Sequence, residues 1–443
     1  MSEAFLHYLW QFQYFDKNEL QTTSGDPIQV YSPGNRNPDS GPDFQNARIR
    51  IGGMEWIGSA EIHIQASGWM DHKHDRDPAY DNVILHIVWD NDMTIHRSDG
   101  SLLPTIILAD RVNQKFFMDY QRLVNSPEQI PCAQFISQVT DIVKLSMLDK
   151  VVIERLESKS ARVLEILEKS RNDWEETCFQ SLARSFGYKI NADPFQQLAR
   201  LLPYRVLRKH SDKLLHVEAV LFGQAGFLEE EIDNDYHRLL RREYHILRQK
   251  YSLSERRLSK AQWKFLRLRP ANFPTIRLAE FAALIFSRPF LFSTLLEAET
   301  FRELENVFSV SPSEFWSEHY TFTKSTRDHV NRLGTSIIGT IIINGVAPLL
   351  VAYGKSKDEQ QYIDRAVAIL QQTPSEVNTI VSQWKNLGVK SKTAFDSQAL
   401  IELQNNYCIK RRCLDCKIGI SLIGGRLQGE IVSNHFAVGS PED

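Results

Sequence analysis

Cysteine is scarce in this chain: five in 443 residues, at 132, 178, 408, 413 and 416. That number and spread exclude a disulfide scaffold. Long apolar runs are also missing. The best candidate for a membrane span, Ser336 to Val351, is interrupted by Asn344, Gly345 and Pro348 and is expected to be a buried core helix. The start, MSEAFLHYLWQFQYFDKNEL, has neither the basic start nor the small-residue cleavage site of a signal peptide. A cytoplasmic protein without a membrane partner is expected. No P-loop, GxGxxG fingerprint or GxSxG elbow occurs, so nucleotide hydrolysis, dinucleotide binding and serine-hydrolase chemistry have no support. A clean repeat period is absent too.

Against these absences stands an uneven distribution of charge. Residues 1–110 carry seven Lys/Arg and sixteen Asp/Glu, while the remaining residues carry 45 and 39. The same first stretch holds six of the thirteen histidines: His7, His63, His72, His74, His86 and His96. An acidic, histidine-rich front suits a metal site, and a basic remainder suits a polyanion.

The hydrophobic period changes at about residue 110. Before it, Phe5, Leu6, Leu9, Trp10 and Phe12 form a helical stripe. Strand patterns follow at 28–31, 47–51, 55–64, 82–89 and 104–108, with Gly52-Gly53 as a hairpin turn. Beyond it the pattern is helical, with helices expected near 141–171, 174–187, 194–210, 214–226, 235–251, 276–296 and 358–372. The expected fold is α+β: a small N-terminal mixed sheet with a helix (1–110) and a large all-helical region (111–443) carrying the C-terminal cysteines.

Within the first part, GPDFQNARIRIGGMEWIGSAEIHI places Asp43 just before one strand and Glu61 and His63 on the next. Residues i and i+2 of a strand share a face, so Glu61 and His63 project together and Asp43 can join them. Carboxylates offer hard oxygens to Mg²⁺ or Mn²⁺, and imidazole suits softer divalent metals. His72 and His74 in WMDHKHD are further candidates, whereas His86, amid VILHIVW, is a core histidine unless the sheet sets it beside Glu61 and His63. Asp77 and Asp81 fit turn and cap roles.

Two other sets carry chemistry. Cys408-x4-Cys413-x2-Cys416 could bind zinc or an iron–sulfur cluster, with a fourth ligand from Cys132, Cys178 or His435. Lys410, Arg411 and Arg412 would favour their thiolates. Residues 241–277 hold eleven Lys/Arg against Glu243 and Glu255, interleaved with Tyr244, Tyr251, Trp263 and Phe265. This stretch could meet nucleic acid through Arg241, Arg242, Arg248, Arg256, Arg257, Lys260 and Lys264, or be a solvated face over core aromatics.

The phrases GPDFQNARI, WIGSAEIHI, SGWMDHKHDRDPAYDNVILHIV, RLRPANFPTIRLAEFAALI and RRCLDCKIG together resemble an uncharacterised bacterial family known only as a domain of unknown function. The first 110 residues separately resemble the PD-(D/E)XK nuclease core, through Pro42-Asp43, a hairpin and Glu61-Ile62-His63. That resemblance implies a restriction-endonuclease-like sheet, Mg²⁺ or Mn²⁺ on Asp43 and Glu61, and a divalent-metal-dependent nuclease acting on DNA or RNA. His63 stands where that core has a lysine and cannot supply a permanent charge. The alternatives are a non-enzymatic nucleic-acid-binding or scaffold protein with a degenerate nuclease fold, and a metal-dependent hydrolase of a small substrate.

Overall fold

In the computed structural model, residues 1–253, 257–326 and 332–424 are described. The chain folds as two compact units, Met1–Met147 with Gln404–Asp443, and Leu148–Leu403. Residue 110 closes the sheet, but the N-terminal unit continues past it and takes back the end of the chain.

The N-terminal unit opens with α1 (Glu3–Phe12), whose Phe5, Leu6, Leu9 and Trp10 are fully buried. Its sheet contains β1 (Ile28–Ser32), β2 (Asn35–Arg36), β3 (Phe44–Ile51), β4 (Met54–Gln65), β5 (Val83–Asp90) and β6 (Thr105–Ile107). The order is β1-β3-β4-β5-β6, with β2 on β3. β3 and β4 form the expected hairpin. Gly52 and Gly53 both take positive φ, 55° and 92°, as a two-residue turn matching strand twist requires. β4 then pairs in parallel with β5, and β5 with β6. Accordingly β4 is exposed over its first four residues and buried from Gly58 to His63. The β3–β4 register slips between Phe44 and Ala47, where Asn46 has φ of 59°. Such a bulge bends the strand start and re-aims the residue before it, Asp43.

A parallel pair cannot be closed by a tight turn. The crossover from β4 to β5 consists of short helical turns: α2 (Gly68–Asp71), then His74–Arg76 and Pro78–Tyr80. Lys73 is left-handed between the first two, so the chain reverses between His72 and His74. Asp77 caps the last turn by accepting from Ala79 N.

The second unit is helical around a core that includes Leu182, Phe222, Leu284 and Ile342. It corrects three expectations. The helix expected over 194–210 is two, Ala192–Leu201 and Tyr204–Arg208, parted at Pro203. The one expected over 276–296 is also two, Pro274–Ser287 and Leu291–Glu297, bent by 78° next to Pro289. Proline removes a backbone donor and clashes with the preceding turn. The region is also not all helical, since His319–Thr321 pairs with Lys324–Ser325. The apolar run continues as Thr335–Lys357, long and apolar enough to cross a membrane, yet 72% of its most apolar window is buried inside the protein. Gly345 explains that packing: a Cβ there would lie 2.9 Å from Leu182 Cδ2 and Ser185 Oγ.

Candidate metal centre

β4 sets Glu61 and His63 on one face, and the β4–β5 register puts His86 beside Glu61. All three are buried despite their polarity. The bulged start of β3 brings Asp43 against them. Asp43 N donates to Glu61 Oε2 at 2.9 Å, and Ile62 N donates to Asp43 Oδ2 at 3.0 Å. The two carboxylates are thus laced through each other's backbone.

The crossover supplies the rest. His63 Nε2 lies 3.2 Å from His72 Nδ1 and 4.0 Å from Glu61 Oε1, while His74 Nε2 lies 3.3 Å from Glu61 Oε1. The donor atoms of His63, His72 and His74 all fall within 4.8 Å of one another. Two ligand atoms held about 2.1 Å from one ion stand roughly 3.0–3.4 Å apart, depending on the angle. The His63–His72 and His74–Glu61 separations match a shared cation, and the other pairs stand wider. His74 Nε2 is buried and makes no hydrogen bond, an orphaned nitrogen that a metal would satisfy.

Electrostatics point the same way. Burial, then the Asp43 carboxylate, pushes Glu61 up to about 8. Burial, then His86, pushes His63 down to about 3, and burial also takes His86 to about 3 and lowers His74. His63 and His74 are thereby held neutral and able to act as ligands, and the carboxylates of Asp43 and Glu61 repel each other without a cation between them.

Outer residues hold the ligands. His63 Nδ1 is 2.9 Å from His86 Nε2, so a His63 that offers Nε2 to a metal donates its Nδ1 proton to His86. Tyr80 stacks on His74 with centroids 3.7 Å apart, and Trp69 meets both His74 and His86 edge-on. His7 of α1 reaches Asp43 Oδ2 at 3.1 Å. Tyr80 and Gly68 carry no signal in the sequence, and His7 shows only as one of six histidines, because no spacing joins α1 to the strands and Tyr80 reads as part of a turn. Gly68 is required by close approach: a Cβ would stand 2.7 Å from His63 Cδ2. Gly68→Ala is expected to displace the His63 ring and weaken metal binding while the sheet still folds. Metal titration beside a thermal melt checks it, and unchanged affinity counts against the assignment of His63.

A second imidazole set, His210, Asp212 and His216, is also close. There His210 already bonds Tyr251 and His216 lies 3.6 Å from Glu243. The basic stretch is mixed. Tyr244 and Trp263 are buried in the core and cannot stack on bases, and Tyr251 is committed to His210. Arg241, Arg257 and Lys260 pair with Glu231, Glu229 and Glu230, and Arg242 pairs with Glu243. Arg248 is half-buried, Lys264 is exposed, and Arg256 lies outside the described residues.

Among the cysteines, Cys132 gathers with Cys408, Cys413 and Cys416, whereas Cys178 belongs to the core of the helical unit. His435 lies outside the described residues. The expectation that neighbouring cations lower the thiol pKa values is overturned. Burial dominates and pushes Cys132 and Cys413 up to about 12, with Arg411 only a minor opposing influence on Cys413. Arg411 instead grips the carbonyls of Ser126 and Glu128, Arg412 pairs with Asp415, and Lys410 binds Asn406.

A protein family described as "Protein of unknown function (DUF2851)" matches residues 3–379, and the chain belongs to it. No curated protein and no solved structure matches the chain.

Proposed function

We propose that this member of the DUF2851 family is a divalent-metal-dependent nuclease whose ion is held by Glu61, His63, His72 and His74. The observation that carries the reading is the convergence of three imidazoles and a buried carboxylate at one place. Three nitrogen donors favour Mn²⁺, Fe²⁺ or Zn²⁺ over Mg²⁺, which prefers oxygen. When bound, such an ion polarises a phosphoryl oxygen and lowers the pKa of a water. Asp43, braced by His7 and Ile62 N, orients that water. His63 stays neutral as a ligand, so no residue here repeats the lysine of the PD-(D/E)XK core. The order helix, antiparallel hairpin, crossover and parallel strand supports the nuclease comparison. The exposed His72 and part-exposed Asp43 leave the site open to a polymer, which favours nucleic acid over a small enclosed substrate. Five cysteines, none of them in a disulfide, suit a reducing cytoplasm.

The test is cleavage of single- and double-stranded DNA and RNA with Mn²⁺, Zn²⁺ or Mg²⁺. Cleavage with a transition metal that Glu61→Ala abolishes supports the reading. A folded, metal-loaded protein that leaves every nucleic acid intact overturns the nuclease and leaves the metal centre standing.

Contact with nucleic acid would fall to Arg241, Arg257 and Lys260. Exposed ion pairs contribute about 0–1 kcal/mol, so phosphates can displace Glu229, Glu230 and Glu231 from them. The double variant Arg257→Glu, Lys260→Glu is expected to weaken binding and flatten its salt dependence, because fewer counterions are released. Identical binding curves across salt concentrations would remove these residues from the interface.

A further inference from the structure

We propose that Cys132, Cys408, Cys413 and Cys416 ligate an iron–sulfur cluster, at a site separate from the imidazole centre. Four of the chain's five cysteines come from its two ends to one place in the N-terminal unit, although 275 positions separate Gln129 and Gln404, which meet beside them. All four are buried and none is in a disulfide. Cys132 and Cys408 each interact electrostatically with Cys413 and Cys416, and with one another.

The backbone around them is fixed in detail. Arg411 donates to Glu128 O and Ser126 O, both at 2.7 Å, tying the 408–416 loop to the segment that leads into Cys132. Cys132 directly precedes the turn Ala133–Gln138, against which the helix Lys417–Gly424 packs. Gly419 of that helix lies so close to Cys413 that a Cβ would sit 2.2 Å from its carbonyl oxygen. Lys417 N meets Met147 Sδ at 3.4 Å on the other side. These contacts hold three thiols on one loop and bring the fourth to it.

Ligand spacing selects the metal. Structural zinc is commonly held by two pairs of ligands, each pair two to four residues apart. Here three ligands are local, as C-x4-C-x2-C, and one is remote. The local run matches that of one class of two-iron cluster, with the remote cysteine here before the run and not after it. Buried thiols with raised pKa values are also costly to ionise, and a cluster offsets that cost by taking the thiolates.

The full chain, purified without oxygen from iron-supplied cells, is to be assayed for iron, acid-labile sulfide, zinc and visible absorption. The expected result is a coloured protein with iron and sulfide in equal amounts. Cys132→Ser loses both, while Cys178→Ser keeps both. Glu61→Ala also keeps them, which separates this site from the imidazole centre. A colourless protein, stoichiometric zinc without sulfide, or iron retained in Cys132→Ser would each overturn the cluster. Should Cys132→Ser fail to fold, Cys416→Ser provides the same comparison, and reconstitution of the unloaded wild type with iron and sulfide must restore the colour.

Discussion

Single replacements of Glu61, His63, His72 and His74 are expected to fall into one graded series of metal affinity. The gradation follows from burial. His63 sits deepest, between His72 and His86, and has no room to be replaced by water, so His63→Ala should lower affinity most. Removing a group that only orients a ligand typically costs about 10–100-fold, and removing the ligand itself should exceed that. Glu61→Gln keeps the shape and the bond from Asp43 N but loses the charge, and should approach the loss in His63→Ala. His72 is exposed, water can take its place, and His72→Ala should cost least of the four. His86→Phe is the informative companion. It touches no metal, yet it removes the acceptor that keeps the His63 proton on Nδ1, so an intermediate loss is expected. Isothermal titration with Mn²⁺ and Zn²⁺, on variants shown to melt like the wild type, reads the series. Equal affinity in wild type and His63→Ala would end the metal assignment, whatever the activity.

The elements behind that series were legible to different degrees. The Glu61-x-His63 pair follows from strand alternation alone, and the two glycines mark the hairpin that returns it toward Asp43. His72 and His74 were visible only as density of the right residue type. Their convergence depends on the left-handed Lys73 and on a crossover of short turns, which leave no periodic trace. His86 needed the β4–β5 register, a long-range pairing that no local pattern encodes. His7 arrives from α1 as a polar residue on an otherwise apolar stripe. In the helical unit the apolar period over 194–210 and 276–296 runs on through Pro203 and Pro289, where the chain breaks into two helices each time. The basic stretch left two readings open for a simpler reason. Composition shows charge and aromatic rings together but not which way each points, and the rings at Tyr244 and Trp263 point inward. Cys132 stood only as one of three remote candidates, and burial, which no local pattern announces, sets the upward shift of its thiol.

The second large effect lies away from both sites, in the helix Leu214–Gln224. Glu218 is fully buried there, in a run of buried residues from Val217 to Gln224. Tyr236 donates its hydroxyl to Glu218 Oε2 and also lies 3.0 Å from Ser313 Oγ. Tyr236, Ser313 and Trp316 together do not offset the loss of water, and burial pushes the carboxyl up to about 7 from an ordinary 4.5. The folded state therefore prefers the proton. Stability from this group is full below pH 4.5 and is lost as the pH rises through 7. At 1.36 kcal/mol per pH unit, the loss amounts to about 3 kcal/mol by about pH 8.5. Glutamine has the same shape, keeps an oxygen for Tyr236 and never ionises. Glu218→Gln should thus match the wild type near pH 4.5 and exceed it by about 3 kcal/mol at about pH 8.5. Glu280 is raised to about 7 as well, beside Arg277, and will add its own slope to both proteins. The difference between variant and wild type cancels it. Denaturant unfolding at the two pH values, followed by the fluorescence of Trp316 and the other tryptophans, measures that difference. Parallel stability curves for the two proteins would show that Glu218 does not carry a proton into the fold.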